Sequence, residues 1–323
     1  MKAKTEPGEG EHMRILFMGT PDISAACLDA LLRDGAPVVA AVTREDKPKG
    51  RKMVLTPPPV KVLAEAHGIP VWQPKTLRDE AFASLLRDID PDLILVVAYG
   101  KILPESVLSY PKYGCINLHV SLLPKYRGAA PMQRAIMEGE RETGVTVMYM
   151  DAGLDTGDII TAESFPILPS DDFESIHDRS AEVGARLLCA VVRDIAAGKD
   201  IPRKKQDDAA ATYAPKIEKA DCHIDFTKSA AALDPYIRGI TPIPMAYAIH
   251  RGAMLKICAE TPTGGHGAPG EVLALSDEGD GYILVACGEG ALAVTSVIPE
   301  GKKRMRAADF IRGRHIEKGD ILS

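Results

Sequence analysis

The chain has little that would staple it, anchor it or give it one dominant charge. Only six cysteines occur in 323 residues, and no two are spaced like a zinc ribbon or a redox pair. Cys27, Cys115, Cys189, Cys222, Cys258 and Cys287 therefore read as reduced, mostly buried thiols of a cytoplasmic protein. No apolar run approaches the roughly 20 residues that span a bilayer, so no membrane partner is expected. Residues 1–12 are polar and lack the apolar core of a secretory signal; they read as a disordered extension, with Met13 as the functional start. His67, His177, His223, His250 and His266 are scattered singly, so no metal is expected. Gly19-Thr20-Pro21-Asp22 lacks the three-glycine fingerprint of a dinucleotide site. The formal net charge of −6 does not announce a nucleic-acid partner, and any such contact must rest on a local basic patch.

What is present is an ordinary globular balance, 46% apolar and 26% charged, in a chain long enough for two domains. Arg14 to Gly19 is an apolar run ended by glycine, which suits a strand buried on both faces. Asp22 or Ser24 is placed to cap the helix that follows. Further strands are expected at 38–42, 70–72, 93–98, 114–118 and 145–150, with helices at 60–67, 79–87 and 131–138 between several of them. That alternation predicts an α/β domain: a mostly parallel, Rossmann-like sheet with helices on both faces. A long helix over 175–197 ends at Gly198, a left-handed cap position. Residues 203–216 read as a linker. Beyond it, short apolar runs at 246–249, 254–258, 270–274, 282–286 and 292–298 alternate with turn-rich segments and predict a smaller β-barrel, OB-like domain. The expected division is 1–12, 13–202, 203–216 and 217–323.

Chemistry concentrates where the strand near Leu118 stops. Asn117 and His119 alternate with Leu118 and so share one face of a pleated strand. Ligands of open parallel sheets bind beyond the carboxyl ends of the strands, so an amide and an imidazole would project there together. A second loop, Asp151 to Asp158, carries two glycines and three carboxylates, and can aim Asp155 back at the histidine. This trio suits acyl transfer to an amine. The Asn117 amide and a protonated His119 can donate to the developing oxyanion, a type of contact typically worth about 10²–10³ in rate. Asp155 can accept the amine's proton, directly or through water. Taken singly, His119 is an ordinary structural histidine, Asn117 a strand end and Asp155 a loop residue; the combination carries the reading.

Asn117 through Pro124, the Arg127-Gly128 pair and Gly153-Leu154-Asp155-Thr156-Gly157 resemble the signature of the 10-formyltetrahydrofolate-dependent formyltransferases. Gly19 to Asp22, Val97-Ala98-Tyr99-Gly100 and Arg127 to Pro131 resemble those members that act on methionyl-tRNA. The resemblance implies 10-formyltetrahydrofolate as formyl donor, no metal, and Asn117, His119 and Asp155 as catalytic residues. It also implies folate contacts at Ser121, Leu122, Leu123 and Pro124, with Ile102, Leu103 and Pro104 beside the pterin. Val120 stands where the family usually has a small residue or proline, and Thr241-Pro242-Ile243-Pro244 replaces a motif that more often holds tryptophan.

The implied acceptor is initiator methionyl-tRNA, to be formylated for translation initiation by a monomeric enzyme. From Arg44 to Lys61 six basic residues face two acidic ones, and phosphate contacts there would give salt-dependent affinity. Arg44, Lys47, Lys49, Arg51 and Lys52 are the expected tRNA contacts, with lysine at 47 where the family tends to have arginine. Lys302, Lys303 and Arg304, followed by Arg306, Arg312, Arg314 and His315, form a second basic cluster in the smaller domain. The alternative acceptor is an amino-sugar nucleotide or another small amine, which would leave the basic segments without a purpose.

Overall fold

A computed structural model describes residues 13–50 and 53–323; the expected N-terminal extension, 1–12, lies outside them. The chain resolves into two compact units. One holds the described residues up to Arg127 together with Gly144–Ser164 and Asp178–Thr212; the other holds Gly128–Thr143, Phe165–His177 and Tyr213–Ser323.

The first unit is built on strands β1 (Ile15–Gly19), β2 (Val38–Val42), β5 (Val71–Trp72), β6 (Leu93–Val97), β7 (Cys115–His119), β9 (Glu142–Tyr149) and β10 (Ile159–Pro166), in the order β10-β9-β7-β6-β1-β2-β5. Two short strands, β3 (Lys47–Lys49) and β4 (Val54–Thr56), form a separate hairpin, and β8 (Arg127–Gly128) follows β7. Every residue of β1 and β6 is buried, as their unbroken apolar runs require of strands covered on both faces. β1, β2, β5, β6 and β7 pair in parallel, which brings the carboxyl ends of β6 and β7 to one edge. The sheet is mixed, however: β9 lies antiparallel to β7, with Asn117 opposite Met148 and His119 opposite Thr146.

Helices α1 (Asp22–Arg33), α2 (Pro59–Ala66), α3 (Glu80–Ile89), α4 (Glu105–Leu108) and α6 (Phe173–Ala196) accompany these strands, and α5 (Pro131–Met137) precedes β9. In α3 the side chain of Asp79 accepts from the Phe82 N–H, and Phe82, Leu86 and Ile89 present one buried stripe. The expected cap of α1 is absent: Pro21 occupies that position with no side-chain bond, and Ser24 instead donates to the Val97 carbonyl at 2.6 Å. Gly19 makes that approach possible, since a Cβ there would stand 2.7 Å from the Cβ of Ser24. Gly198, past the end of α6, has the expected positive φ, +68°.

The second unit contains β11 (Tyr213–Ala214) and an antiparallel sheet of β12 (Tyr247–His250), β13 (Ala253–Thr263), β14 (Val272–Ser276), β15 (Tyr282–Ala286), β16 (Ala291–Pro299) and β17 (Met305–Arg306). Its main path is β12-β13-β16-β15-β14, with β17 on β16. The last residues lie along both edge strands: Leu322 bridges His250, Ile321 bridges Glu271, and Val272 N–H donates to the Asp320 carbonyl at 2.8 Å. The sheet is thereby closed into the expected barrel-like form, with its edges satisfied. Two helices that the apolar pattern does not predict, α7 (Ala230–Gly239) and α8 (Ala307–Arg312), supply Leu233, Ile237 and Phe310 to a core with Leu255, Ile257 and Val285.

Two stability tests follow from this packing. Leu95→Ala, in the fully buried β6, is expected to cost about 2–5 kcal/mol, read as a shift in urea midpoint. Glu260 on β13 is a half-buried carboxyl: burial, then the neighbouring Asp234, push its pKa up to about 7, against the opposing pull of Arg238. A folded-state value above the unfolded one means that the native state binds more protons between the two, so stability falls as pH rises through that window. Glu260→Gln is expected to flatten that fall between about pH 4.5 and 7, measured as melting temperature against pH.

Candidate active site

The end of β7 delivers Asn117 and His119 by pleat alternation, and His119 is 6% exposed while Asn117 is half-buried. Its Nε2 lies 2.9 Å from the backbone oxygen of Tyr126. A carbonyl only accepts, so Nε2 carries the N–H, and Nδ1 is the atom left to face the carboxylate of Asp155, 3.6 Å away. The predicted approach of the two loops is therefore present. At that separation Nδ1 and Oδ2 are beyond a good direct hydrogen bond, yet near enough for both to attend one proton.

Asp155 reaches this position from a tightly wound loop. Its own φ is +54°, left-handed and costly for a residue with a Cβ. Asp151 shapes the preceding turn, its Oδ1 accepting from the Gly153 N–H at 3.0 Å and from the Thr156 hydroxyl at 2.6 Å. Gly157 has no room for a side chain, because a Cβ would lie 2.0 Å from the Tyr149 carbonyl. Where the loop closes, Tyr149 N–H donates to the Asp158 carbonyl at 2.9 Å, and Arg203 covers the Tyr149 ring at 3.6 Å.

The segment after His119 is a second rigid turn. Ser121 is fully buried and its hydroxyl donates to the Lys125 carbonyl at 2.7 Å; Thr146 donates to the Ser121 carbonyl and accepts from the Leu123 N–H. Leu123 is buried and Leu122 and Pro124 half-buried. Beyond β6, Ile102 is 80% exposed, whereas Leu103 belongs to the core with Tyr99 and Val107, and Pro104 precedes α4. Exposed Ile102, with Leu154 beside Asp155 also exposed, leaves apolar side chains uncovered on the loops that follow β6 and β9. A flat ring system fits such a surface better than water does.

The basic segment divides. Arg44 turns inward, its Nη1 donating to the Gly100 carbonyl at 3.3 Å. Lys47 and Lys49 stand exposed on the β3–β4 hairpin, where Lys47 pairs with Thr56 and Lys49 with Val54, so the expected loop is a ribbon. Asp46 is drawn into its base, and hydrogen bonds from Gln73 and Lys61 hold its carboxyl below the usual range. Arg51 and Lys52 lie outside the described residues. Lys302, Lys303 and Arg304 are exposed in the turn between β16 and β17, with Arg304 Nε donating to the Ser296 hydroxyl at 2.9 Å. Among the described residues no group of three or more His, Cys, Asp or Glu is placed to hold a metal ion, and no helix is long and apolar enough to cross a membrane.

Two parts of the site have no signal in the sequence. The Tyr126 carbonyl is a backbone atom, which no residue pattern advertises. Gln206 lies in the stretch expected to be a linker, yet its amide donates to the carbonyls of Asp155 and Gly157, at 2.8 Å each.

Comparison with known proteins recognises both halves of the chain. Residues 13–192 match the family model described as formyl transferase, and residues 216–315 match the formyl transferase C-terminal domain. The methionyl-tRNA formyltransferase of Citrifermentans bemidjiense is 48% identical over 310 residues, covering 96% of both chains. That of Geotalea uraniireducens is 48% identical over 310 residues, covering 96% of this chain and 98% of its own. Among solved structures, WlaRD, a sugar 3N-formyl transferase crystallised in the presence of dTDP and 5-N-formyl-THF, superposes with a TM-score of 0.65. It is 19% identical, with 91% of this chain and 100% of that one covered, and at that identity the likeness concerns the fold alone. With both halves matched in order and nearly half of all positions shared along its length, the chain belongs to the formyl transferase family.

Proposed function

We propose that this protein transfers the formyl group of 10-formyltetrahydrofolate to the α-amino group of methionyl-initiator-tRNA. The observation that carries the reading is the convergence of His119 and Asp155, 3.6 Å apart, in a chain that stays 48% identical to a methionyl-tRNA formyltransferase over 96% of its length. The domain 13–202 does the chemistry, and residues 217–323 with the β3–β4 hairpin hold the tRNA.

The donor, when bound, supplies an activated formyl carbon. Ser121, Leu122, Leu123, Pro124, Ile102, Leu103 and Pro104 form its binding edge, the exposed Ile102 offering apolar area and the buried Leu103 fixing the turn beneath it. The chain's own contribution is positional and electrostatic. Asn117 donates its amide N–H to the formyl oxygen as negative charge grows there. With His119 Nε2 committed to Tyr126, Nδ1 and the Asp155 carboxylate flank the path of the proton that leaves the amine. Whichever atom takes the proton, the other stabilises it, and the proton passes to N10 of the departing tetrahydrofolate as the bond from N10 to the formyl carbon breaks. The sequence of charges then needs no metal, and the reaction is one transfer without a covalent enzyme intermediate.

The acceptor is argued from charge. Lys47 and Lys49 stand exposed on a ribbon, and Arg51 and Lys52 follow them in sequence, a local run of basic residues on a chain of net charge −6. A small amine such as an amino-sugar nucleotide would have no use for that patch.

Three outcomes are expected. Supplied with 10-formyltetrahydrofolate, the protein formylates charged initiator tRNA and leaves a dTDP-amino sugar untouched; the reverse preference in a side-by-side assay overturns the acceptor. Asp155→Asn and His119→Ala each lower kcat by about 10²–10⁴, the range for a lost general base or oxyanion donor, with unchanged melting. Near-normal turnover in either removes that residue from the mechanism. Replacing Lys47, Lys49, Arg51 and Lys52 by alanine raises KM for the charged tRNA and flattens its salt dependence, while KM for the folate stays put; equal effects on both substrates dissociate the hairpin from the tRNA.

A further inference from the structure

The left-handed Asp155 has to be held against its own strain, and the holding is done by a side chain from a distant part of the chain. Gln206 Nε2 donates both of its hydrogens, to the Asp155 carbonyl and to the Gly157 carbonyl, each at 2.8 Å. Its Oε1 accepts from Arg127 Nε at 3.1 Å and from Arg127 Nη2 at 2.9 Å. Arg127 is 2% exposed, and its Nη2 also donates to Asp208 at 2.8 Å. Chemistry fixes the orientation of the amide: a guanidinium only donates and carbonyls only accept, so a flipped Gln206 would lose all four contacts at once. The backbone adds a second link. Tyr126, the residue before Arg127, carries the carbonyl that holds His119 Nε2 at 2.9 Å. The dipeptide Tyr126-Arg127 thus anchors the histidine through its backbone and, through Gln206, the aspartate.

We propose that Gln206 is a positioning residue for formyl transfer, setting the Asp155 carboxylate against His119 through the two loop carbonyls it grips, with buried Arg127 as the group that orients it. This rests on the proposed reaction, in which Asp155 and His119 share the departing proton. A fold-only role would make Gln206 one more bonded amide whose loss is felt in melting and nowhere else. A positioning role makes its loss felt in kcat, because a displacement of about 1 Å in a reacting group costs on the order of 10²-fold.

The test uses the full-length protein with Gln206→Met, similar in length but unable to make the bonds, and Gln206→Glu, which keeps an acceptor for Arg127 while turning oxygen toward the carbonyls. Both are expected to lose about 10- to 100-fold in kcat, with KM for 10-formyltetrahydrofolate within about twofold. In the double variant Asp155→Asn with Gln206→Met, turnover is expected to match Asp155→Asn alone, since residues acting as one unit are not additive. In substrate-free protein, the ring resonances of His119 in a ¹H–¹³C spectrum are expected to move in Gln206→Met in the same direction as in Asp155→Asn. A Gln206→Met enzyme with unchanged kcat, or a double variant that loses the full Gln206 factor again, overturns the proposal. So does loss of cooperative unfolding in both single variants, which would make Gln206 a residue of the fold. Failure of the formyl-transfer reading looks different: the unaltered protein formylates no amine, while the His119 resonances still report whether Gln206 sets the pair.

Discussion

A carboxylate on a left-handed residue, held 3.6 Å from a buried imidazole, is the constraint around which the first unit is arranged. Neither group reaches that position by local preference. The imidazole needs a strand that ends at the sheet edge and a carbonyl to take its Nε2 proton; the carboxylate needs a loop wound tightly enough to exclude a Cβ at Gly157. Both demands are met by hydrogen bonds to backbone atoms, which are less mobile than side chains and so hold the pair in register.

Much of this is visible in the amino-acid sequence because hydrophobic periodicity reports burial. The unbroken apolar runs at β1 and β6 mark strands covered on both faces, and the alternation of Asn117, Leu118 and His119 places two polar groups on one face. The closing barrel likewise follows from short apolar runs between turns. What stays hidden is of another kind. That β9 runs antiparallel beside β7 depends on chain reversal, which no local pattern encodes. The expected cap is lost because the helix starts one residue early, with Asp22 already inside it, and because the Ser24 hydroxyl is taken by the Val97 carbonyl. Helices α7 and α8 are short and sit among strands, so neither shows enough turns for its 3.6-residue period to stand out. Gln206 is hidden because a polar residue in a charged, small-residue stretch looks solvated until its partners arrive from elsewhere in the chain.

The two units solve the edge-strand problem in different ways. The β12–β17 sheet has its outer strands engaged by residues 320–323, and so offers no unpaired edge of its own there. The β3–β4 ribbon is left open, with Met53, Val54 and Leu55 exposed beside its lysines. In a ribbon of this size apolar exposure works against solubility, and the adjacent lysines are the kind of charge that keeps an exposed edge from pairing with another copy. The same charges suit a polyanionic partner.

Cys115 begins the strand that carries Asn117 and His119, and by alternation belongs to the same face. Its thiol meets the Val107 carbonyl, 3.6 Å from the sulfur, and burial pushes its pKa up to about 12. An ionised sulfur is a stronger nucleophile than a neutral amine and would compete for an activated acyl carbon, diverting it into a thioester. Kept protonated at neutral pH, this sulfur is no competitor. The chain thus carries a sulfur two residues from Asn117 that burial keeps in its neutral, weakly nucleophilic form.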